Sequence, residues 1–131
     1  MIVKILNNPA IRSDGTTGKR FSLVEAMYCF ISLGGKTHYV TVPEGFSTDF
    51  ASIPVIFRPL IPKLGKYNRS AILHDFLYST ALFSKSTSDK IFLEGMKSLG
   101  VKAWRRYAMY AAVKYFGTGA WNEHRRAEVT A

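Results

Sequence analysis

Prolines are concentrated in one stretch of this sequence, and that stretch limits the fold more than any other feature. Four of the five prolines, Pro43, Pro54, Pro59 and Pro62, fall within residues 43–67. Proline lacks a backbone N–H and fixes φ, so this segment cannot be a regular helix or a central strand. The segment is nonetheless rich in phenylalanine, isoleucine and leucine, and long ordered loops in small domains are often functional. We predict an irregular loop, 43–67, that wraps against the core.

The chain before this loop, residues 1–42, has the pattern of a small antiparallel sheet. Apolar and β-branched runs predict a strand at Ile2–Leu6 and another over residues 21–32. Gly34 and Gly35 are typical of a two-residue hairpin turn, and the partner strand is predicted at Lys36–Val42. We therefore expect a β region at the N-terminal end of the chain.

The chain after the loop is helical in pattern, and about three helices are predicted within residues 68–117. The first runs from a cap at Asn68 or Ser70 to about Phe83, the second starts at a capping box of Ser86 and Asp89 and ends before Gly100, and the third spans 101–116 before Gly117. Residues 118–131 are predicted to be a basic tail that is frayed or bound to a partner. A sheet followed by helices makes the fold class α+β.

Length and composition indicate one positively charged domain, 1–131. A chain of 131 residues has room for a single core. Its 18 Lys and Arg against 9 Asp and Glu give a formal net charge of +9, which favours anionic partners. The single cysteine, Cys29, excludes an intrachain disulfide. Neither a signal peptide nor a transmembrane segment is expected, so we expect a chain made in the cytoplasm.

One histidine lies in an apolar helical stretch and is the strongest candidate for chemistry. His74 and Tyr78 are four residues apart and so share a helix face. Asp89 heads an apolar stripe on the next helix, and if the two helices pair, its carboxylate can accept a hydrogen bond from His74. That bond would fix the tautomer of the ring and make its other nitrogen a general base.

Two more aspartates are typical of a site for a hard cation. Asp49 lies on the irregular loop, and Asp75 follows His74 directly. Carboxylates combined with backbone carbonyls are the usual ligands of such ions. We expect Asp49 and Asp75 together to hold Ca²⁺ or Mg²⁺ beside His74.

Three segments together resemble a family of small uncharacterised proteins of tailed phages and prophages. They read VPEGFSTDFASIP, GKYNRSAILHDFLY and SDKIFLEGMKSLGV, and the match covers about residues 39–116. In that family a TDxASxP segment precedes an HDxLY helix and a second helix that begins AD-x-x-F; this chain has Ser88 where alanine is usual. The resemblance implies phage origin and a shared site built from Asp49, His74, Asp75 and Asp89. It implies no reaction.

The HDxxY pattern with a later aspartate also resembles the phospholipase A2 core, including its disulfide-free form in parvovirus capsids. The resemblance implies His74 as the base that activates water, Asp75 as a calcium ligand, Asp89 as the residue that orients His74, and Tyr78 as a supporting hydroxyl. This sequence departs from that family in two ways. It has no Tyr-x-Gly-x-Gly calcium loop, which the TDFAS segment would have to replace, and its spacing from His74 to Asp89 is shorter than is usual there.

Each of these residues also has a structural explanation. His74 can be a buried histidine that ties the loop to the helices by bonding to Asp89 or Asp49. Asp89 can stabilise the N-terminal end of its helix by charge, and Asp49 can form an Asx-turn. The sequence is therefore compatible with both a catalytic and a structural role for these residues.

The third predicted helix combines cations with aromatic residues. Arg105 and Arg106 lie among tryptophan and tyrosines, a pattern that can bind nucleic acid through phosphate contacts and stacking. The same helix carries a stripe typical of core packing, namely Trp104, Ala108, Ala111, Ala112 and Tyr115. We favour the core stripe with the cations on the solvent side, because no helix-turn-helix, zinc-finger or RNA-binding-sheet signature is present.

The leading hypothesis is a phage-encoded, metal-assisted hydrolase with a phospholipase A2-like His/Asp site that acts on a phospholipid or a cell-envelope polymer. The alternative is a non-catalytic phage protein, either a tail or head component or a host-interaction protein, in which the Asp-His-Asp cluster is structural. Expected partners are other virion proteins or an anionic envelope or lipid surface, and nucleic acid is disfavoured. The expected location is the host cytoplasm, with the virion as an alternative.

Overall fold

The computed structural model describes residues 1–13, 20–48 and 66–130, and over these ranges the chain is α+β, as predicted. Strands occupy the N-terminal part and helices the C-terminal part. The elements are β1 (Ile2–Ile5), β2 (Ile11–Ser13), β3 (Phe21–Leu23), β4 (Met27–Leu33), β5 (Lys36–Val42), β6 (Ser47–Thr48), α1 (Lys66–Thr80), α2 (Lys85–Ser98), α3 (Ala103–Phe116) and α4 (Thr118–Thr130).

The first sheet is antiparallel, with strand order β1-β4-β5. The predicted hairpin is confirmed, because β4 pairs with β5 in a register that places Leu33 opposite Lys36. Gly34 and Gly35 have φ values of 53° and 80°, a left-handed backbone that a two-residue turn of this kind requires. Buried and exposed side chains alternate along β4, so one face of this sheet packs on the core.

A second small sheet, of order β2-β3-β6, corrects the prediction of one strand over residues 21–32. The chain leaves β3 after Leu23, whose N–H donates to Phe46 O and whose carbonyl accepts from Gly45 N–H. It then bends and enters the first sheet at Met27. Two pairing partners, β2 and β6, were missed because strands of two or three residues are too short for a periodic pattern.

The helices begin and end at other residues than the sequence suggested. Asn68 and Ser70 lie inside α1 and do not cap it. The helix ends at Thr80, earlier than expected, because Ala81 takes a left-handed conformation with φ 51°. Ser84, and not Ser86, is the N-cap of α2, and its side chain accepts a hydrogen bond from Thr87 N–H.

The C-terminal segment was predicted as a frayed or partner-bound basic tail, and this is wrong in part. Residues Thr118–Thr130 form a fourth helix. Arg125 on this helix donates hydrogen bonds to the carbonyls of Tyr78 and Ser79 at the end of α1. These bonds dock α4, since the last carbonyls of a helix have no partner within it.

The central helix of the fold is α1, which is buried over most of its length. One apolar cluster joins it to the first sheet and contains Val3, Cys29, Ile31, Val42, Leu73 and Ile91. A second apolar cluster joins the helices and contains Ala71, Phe92, Met96, Val101, Met109 and Val113. The side chains of α1 therefore pack against the first sheet and against the other helices. A polar residue on α1 must find its hydrogen-bond partners inside the protein.

The expected core stripe of the third helix is wrong. Trp104 and Tyr115 are 58% and 68% exposed, whereas Met109 and Val113 are fully buried. Of the predicted stripe only Ala112 is buried. Four of the five aromatic residues of α3, Trp104, Tyr107, Tyr115 and Phe116, thus point away from the core, an arrangement that amphipathic patterning does not favour.

The predicted wrapped loop lies mostly outside the described residues, and Asp49 lies outside them too. Its first residues, 43–48, are described, and there Phe46 packs edge-to-face on Phe76 of α1 at 5.4 Å between ring centroids. Along the parts of the chain that are described, no helix is both long enough and apolar enough to cross a bilayer.

Candidate functional site

Two helices, α1 and α2, pair closely and bring the candidate residues together. Ser70 Oγ donates to the carbonyl of Phe92 at 3.1 Å across the pair. Gly95 makes the close approach possible, because a Cβ atom built there would lie 2.7 Å from Ser70 Oγ. The pairing that the sequence argument assumed for these two helices is therefore present.

At the other end of this pair, Asp89 accepts hydrogen bonds from both candidate residues on α1. His74 Nε2 lies 2.7 Å from Asp89 Oδ1, and Tyr78 Oη donates to the same oxygen at 2.7 Å. The rings of His74 and Tyr78 stack at a tilt, with 4.3 Å between centroids. The predicted bond between His74 and Asp89 is confirmed, and Tyr78 joins it because it shares the helix face.

A fourth residue, Lys85, completes this cluster. Lys85 Nζ donates to Asp89 Oδ2 at 2.8 Å and also to the carbonyls of Val113 at 3.0 Å and Lys114 at 3.3 Å. Its ammonium group therefore lies at the C-terminal end of α3, where a cation is stabilised by the helix dipole. We call His74, Tyr78, Lys85 and Asp89 the Asp89 cluster.

The environment of Asp89 keeps its carboxyl group ionised. Burial alone would raise the pKa of Asp89, but the hydrogen bonds from His74, Lys85 and Tyr78 outweigh it and the pKa is lowered. Burial raises the pKa of Tyr78 far above its ordinary value, and the neighbouring Asp89 carboxylate raises it further. The phenol therefore stays protonated and is the donor in its bond to Asp89.

The charge on Asp89 also assigns the tautomer of His74. An ionised carboxylate has no proton to give, so Nε2 of His74 must carry the hydrogen in this bond. In a neutral ring the lone pair then belongs to Nδ1. This is the tautomer that a general base assisted by a carboxylate requires.

The Asp89 cluster is enclosed by protein. His74 and Tyr78 have no exposed surface, and Asp89 is 2% exposed. Phe92 packs on the His74 ring at 4.8 Å, and Trp121 of α4 packs edge-on against Tyr78 at 5.2 Å. Helices α1, α2, α3 and α4 all contribute to the enclosure.

Asp75 lies next to this cluster in sequence but faces a separate cleft. The cleft has a volume of about 280 Å³ and is lined by residues of α1, α4 and the β3–β6 sheet region: Arg20, Phe46, Ser47, Asp75, Ser79, Ala120, Glu123, His124 and Ala127. The Asp75 side chain is 8% exposed, and His124 Nε2 lies 3.9 Å from its Oδ1. That distance is too long for a hydrogen bond.

Of the two predicted cation ligands, Asp49 and Asp75, only Asp75 lies among the residues that the structure describes. Among the residues that the structure describes, no group of three or more His, Cys, Asp and Glu side chains is arranged to hold a metal ion. Asp75 supplies one hard oxygen ligand at the cleft, and Asp49 lies outside the described residues. The described side chains do not by themselves form a complete metal site.

The structure thus joins three of the five predicted site residues, His74, Tyr78 and Asp89, and places Asp75 in the cleft. Sequence reasoning missed Lys85 and His124. The spacing of Lys85 four residues before Asp89 is a signal that could have revealed the first. His124 lies in the segment predicted as a basic tail, and only the formation of α4 brings it to the cleft.

Comparison with known proteins places the chain in a family. A family model described as "Protein of unknown function (DUF1353)" matches residues 23–113. The match covers more than half of the chain, which therefore belongs to this family. The matched range contains the Asp89 cluster and Asp75, and it ends before α4 with His124.

The chain is also similar to a curated rhizobial protein, the "Uncharacterized protein y4jT" of Sinorhizobium fredii (strain NBRC 101917 / NGR234). The two are 36% identical over 78 residues, which is 58% of this chain and 23% of the relative. This chain therefore spans less than a quarter of that relative's length. No solved structure matches the chain.

Proposed function

We propose that this member of the DUF1353 family is a phage- or prophage-encoded hydrolase with a histidine base, acting on a phospholipid ester or a cell-envelope polymer. The observation that carries the proposal is the bond from His74 Nε2 to the ionised Asp89, 2.7 Å long and braced by Tyr78. A histidine oriented in this way is the proposed base that takes a proton from water, a step for which water must reach the buried ring. The phage origin rests on the TDxASxP, HDxLY and SDxxF motifs.

The roles of the residues follow from these contacts. His74 is the proposed base, and Asp89 orients it and stabilises the imidazolium that forms when the ring takes a proton. Tyr78 and Lys85 keep Asp89 fixed and charged. Asp75, together with Asp49, is the proposed ligand pair for Ca²⁺ or Mg²⁺, which when bound would polarise the carbonyl or phosphoryl oxygen of the substrate.

The test measures fatty-acid release from phospholipid vesicles, and in parallel the solubilisation of cell-envelope polymer, with Ca²⁺, Mg²⁺ or EDTA. We expect the wild type to turn over one substrate class in the presence of metal. His74→Gln, which keeps an amide donor for Asp89, and Asp75→Asn should each lower the rate at least about 100-fold. The matched control His38→Gln changes a histidine on β5 outside the cluster and should keep the full rate.

A second function is favoured by one specific observation, the complete burial of His74 and Tyr78. In this alternative the protein is a non-catalytic virion component or host-interaction protein, and the Asp89 cluster holds four helices together. It predicts no turnover by the wild type with either metal and no rise in melting temperature on adding metal. His74→Gln should lower stability under either function, so turnover and the effect of metal on the melting temperature distinguish the two.

A further inference from the structure

The outer face of α3 carries an exposed row of aromatic residues. Trp104, Tyr107 and Tyr115 are 58%, 56% and 68% exposed. Their spacing places them on one side of the helix, opposite the buried Met109 and Val113, over a length of about 16 Å. Exposed aromatic residues in a row, and not scattered singly, are typical of an interaction surface.

Each of these rings is paired with a cation of the same helix. The distances from the cation to the ring centroid are 5.1 Å for Arg105 over Trp104, 5.4 Å for Arg106 over Tyr107 and 5.3 Å for Lys114 over Tyr115. Helix α3 contains no acidic residue. The resulting surface, which we call the α3 face, consists of these three rings and their three cations.

We propose that the α3 face docks the protein on an anionic phospholipid bilayer. Tryptophan and tyrosine prefer the headgroup region of a membrane, where the ring is shielded and the polar edge is hydrated. Arg and Lys side chains beside such rings can contact lipid phosphates, and anionic lipids attract their positive charge. The formal net charge of +9 acts in the same direction at longer range.

The position of these rings on the exposed side of a helix favours a bilayer over single-stranded nucleic acid. Single-stranded nucleic acid is typically bound in a charged groove with aromatic side chains on which its bases stack, and no α3 residue lines the cleft described above. At a bilayer the ring and its cation can act together, because both groups belong at the headgroup level. The inference goes beyond the proposed hydrolysis and holds with or without it, since it concerns attachment and not turnover.

The test is flotation of the full chain with vesicles of phosphatidylcholine alone or mixed with phosphatidylglycerol, in EDTA so that metal-dependent turnover is absent. We expect binding to the mixed vesicles only. The aromatic variant Trp104→Ala/Tyr107→Ala/Tyr115→Ala and the charge variant Arg105→Gln/Arg106→Gln should each weaken binding about tenfold or more.

The matched control is Tyr28→Ala/Tyr39→Ala, which removes two aromatic residues that are 51% and 77% exposed on the first sheet. This control should bind like the wild type, and circular dichroism should show native helix content for every variant. Equal binding to both vesicle types, or equal losses in the control and the α3 variants, would overturn the proposal. So would a wild type that ignores vesicles, whether or not it binds a thymidine oligonucleotide through the same α3 residues.

Discussion

Replacing Asp89 by asparagine isolates the charge at the centre of the cluster while keeping its shape. Asparagine can still accept from His74 Nε2 and Tyr78 Oη, so both hydrogen bonds change from a charged to a neutral acceptor. Each such change costs about 1 kcal/mol. Lys85 loses its ion pair but keeps the carbonyls of Val113 and Lys114 and is 20% exposed, so this loss adds only about 1 kcal/mol. We expect Asp89→Asn to lower the free energy of unfolding by about 3 kcal/mol.

The assay is urea denaturation followed by circular dichroism at pH 7, with a thermal melt beside it. For a domain of this size the expected loss lowers the melting temperature by about 10 °C. The control is Glu94→Gln, which removes a carboxylate from the same helix that forms no ion pair with another described residue. This control should stay within about 0.5 kcal/mol of the wild type.

The pH dependence gives the same prediction a second check. Because the pKa of Asp89 is lowered in the folded protein, its charge stabilises the fold fully above the unfolded value of about 3.9. That contribution is lost as the pH falls through the lower folded pKa. The stability gap between wild type and Asp89→Asn should therefore narrow as the pH falls below about 3.9. A gap below about 0.5 kcal/mol at pH 7, or one that does not narrow in strong acid, would refute an ionised and fully bonded Asp89.

Three further substitutions test how the helices are held. Gly95→Ala places a Cβ atom 2.7 Å from Ser70 Oγ and should destabilise the fold by about 1–3 kcal/mol in urea denaturation. Adding Ser70→Ala should recover part of that loss, and no recovery would mean that the crowding lies elsewhere. Ala81→Gly relieves a left-handed residue with φ 51° and should raise stability by about 1 kcal/mol, whereas a decrease would contradict that backbone conformation. Arg125→Ala removes the bonds from α4 to the end of α1 and should speed hydrogen exchange in α4, with exchange in the first sheet unchanged; uniform exchange would contradict local docking.

The pairing of His74 with Asp89 could be predicted from the sequence because each step of it is local. A polar residue in an apolar helical stretch needs a buried partner, and an acid at the head of an apolar stripe on the next helix is the nearest one available. The place of Tyr78 beside His74 could also be predicted, because residues four apart share a helix face. The hairpin at Gly34 and Gly35 was equally predictable, because a left-handed two-residue turn has few sequence solutions.

Other features depended on contacts that no local pattern contains. The short strands β2 and β6 exist only because β3 lies between them, and the helix Thr118–Thr130 docks because Arg125 finds open carbonyls on α1. The capping box at Ser86 failed because Ser84 precedes it with equal capping ability and ends up in the extended conformation that a cap requires. At these places the local sequence allows more than one structure, and tertiary contacts determine which one forms.

Helix α3 shows how a pattern of residue types can mislead. Large aromatic residues at helical spacing normally mark the buried face, yet here the buried face is made of Met109, Ala112 and Val113. Smaller side chains let α3 approach α2, where Lys85 bonds to its terminal carbonyls. Bulky rings at those positions would hold the helices apart and break that contact. The close packing that the Asp89 cluster needs is therefore one physical reason why the aromatic residues of α3 face outwards.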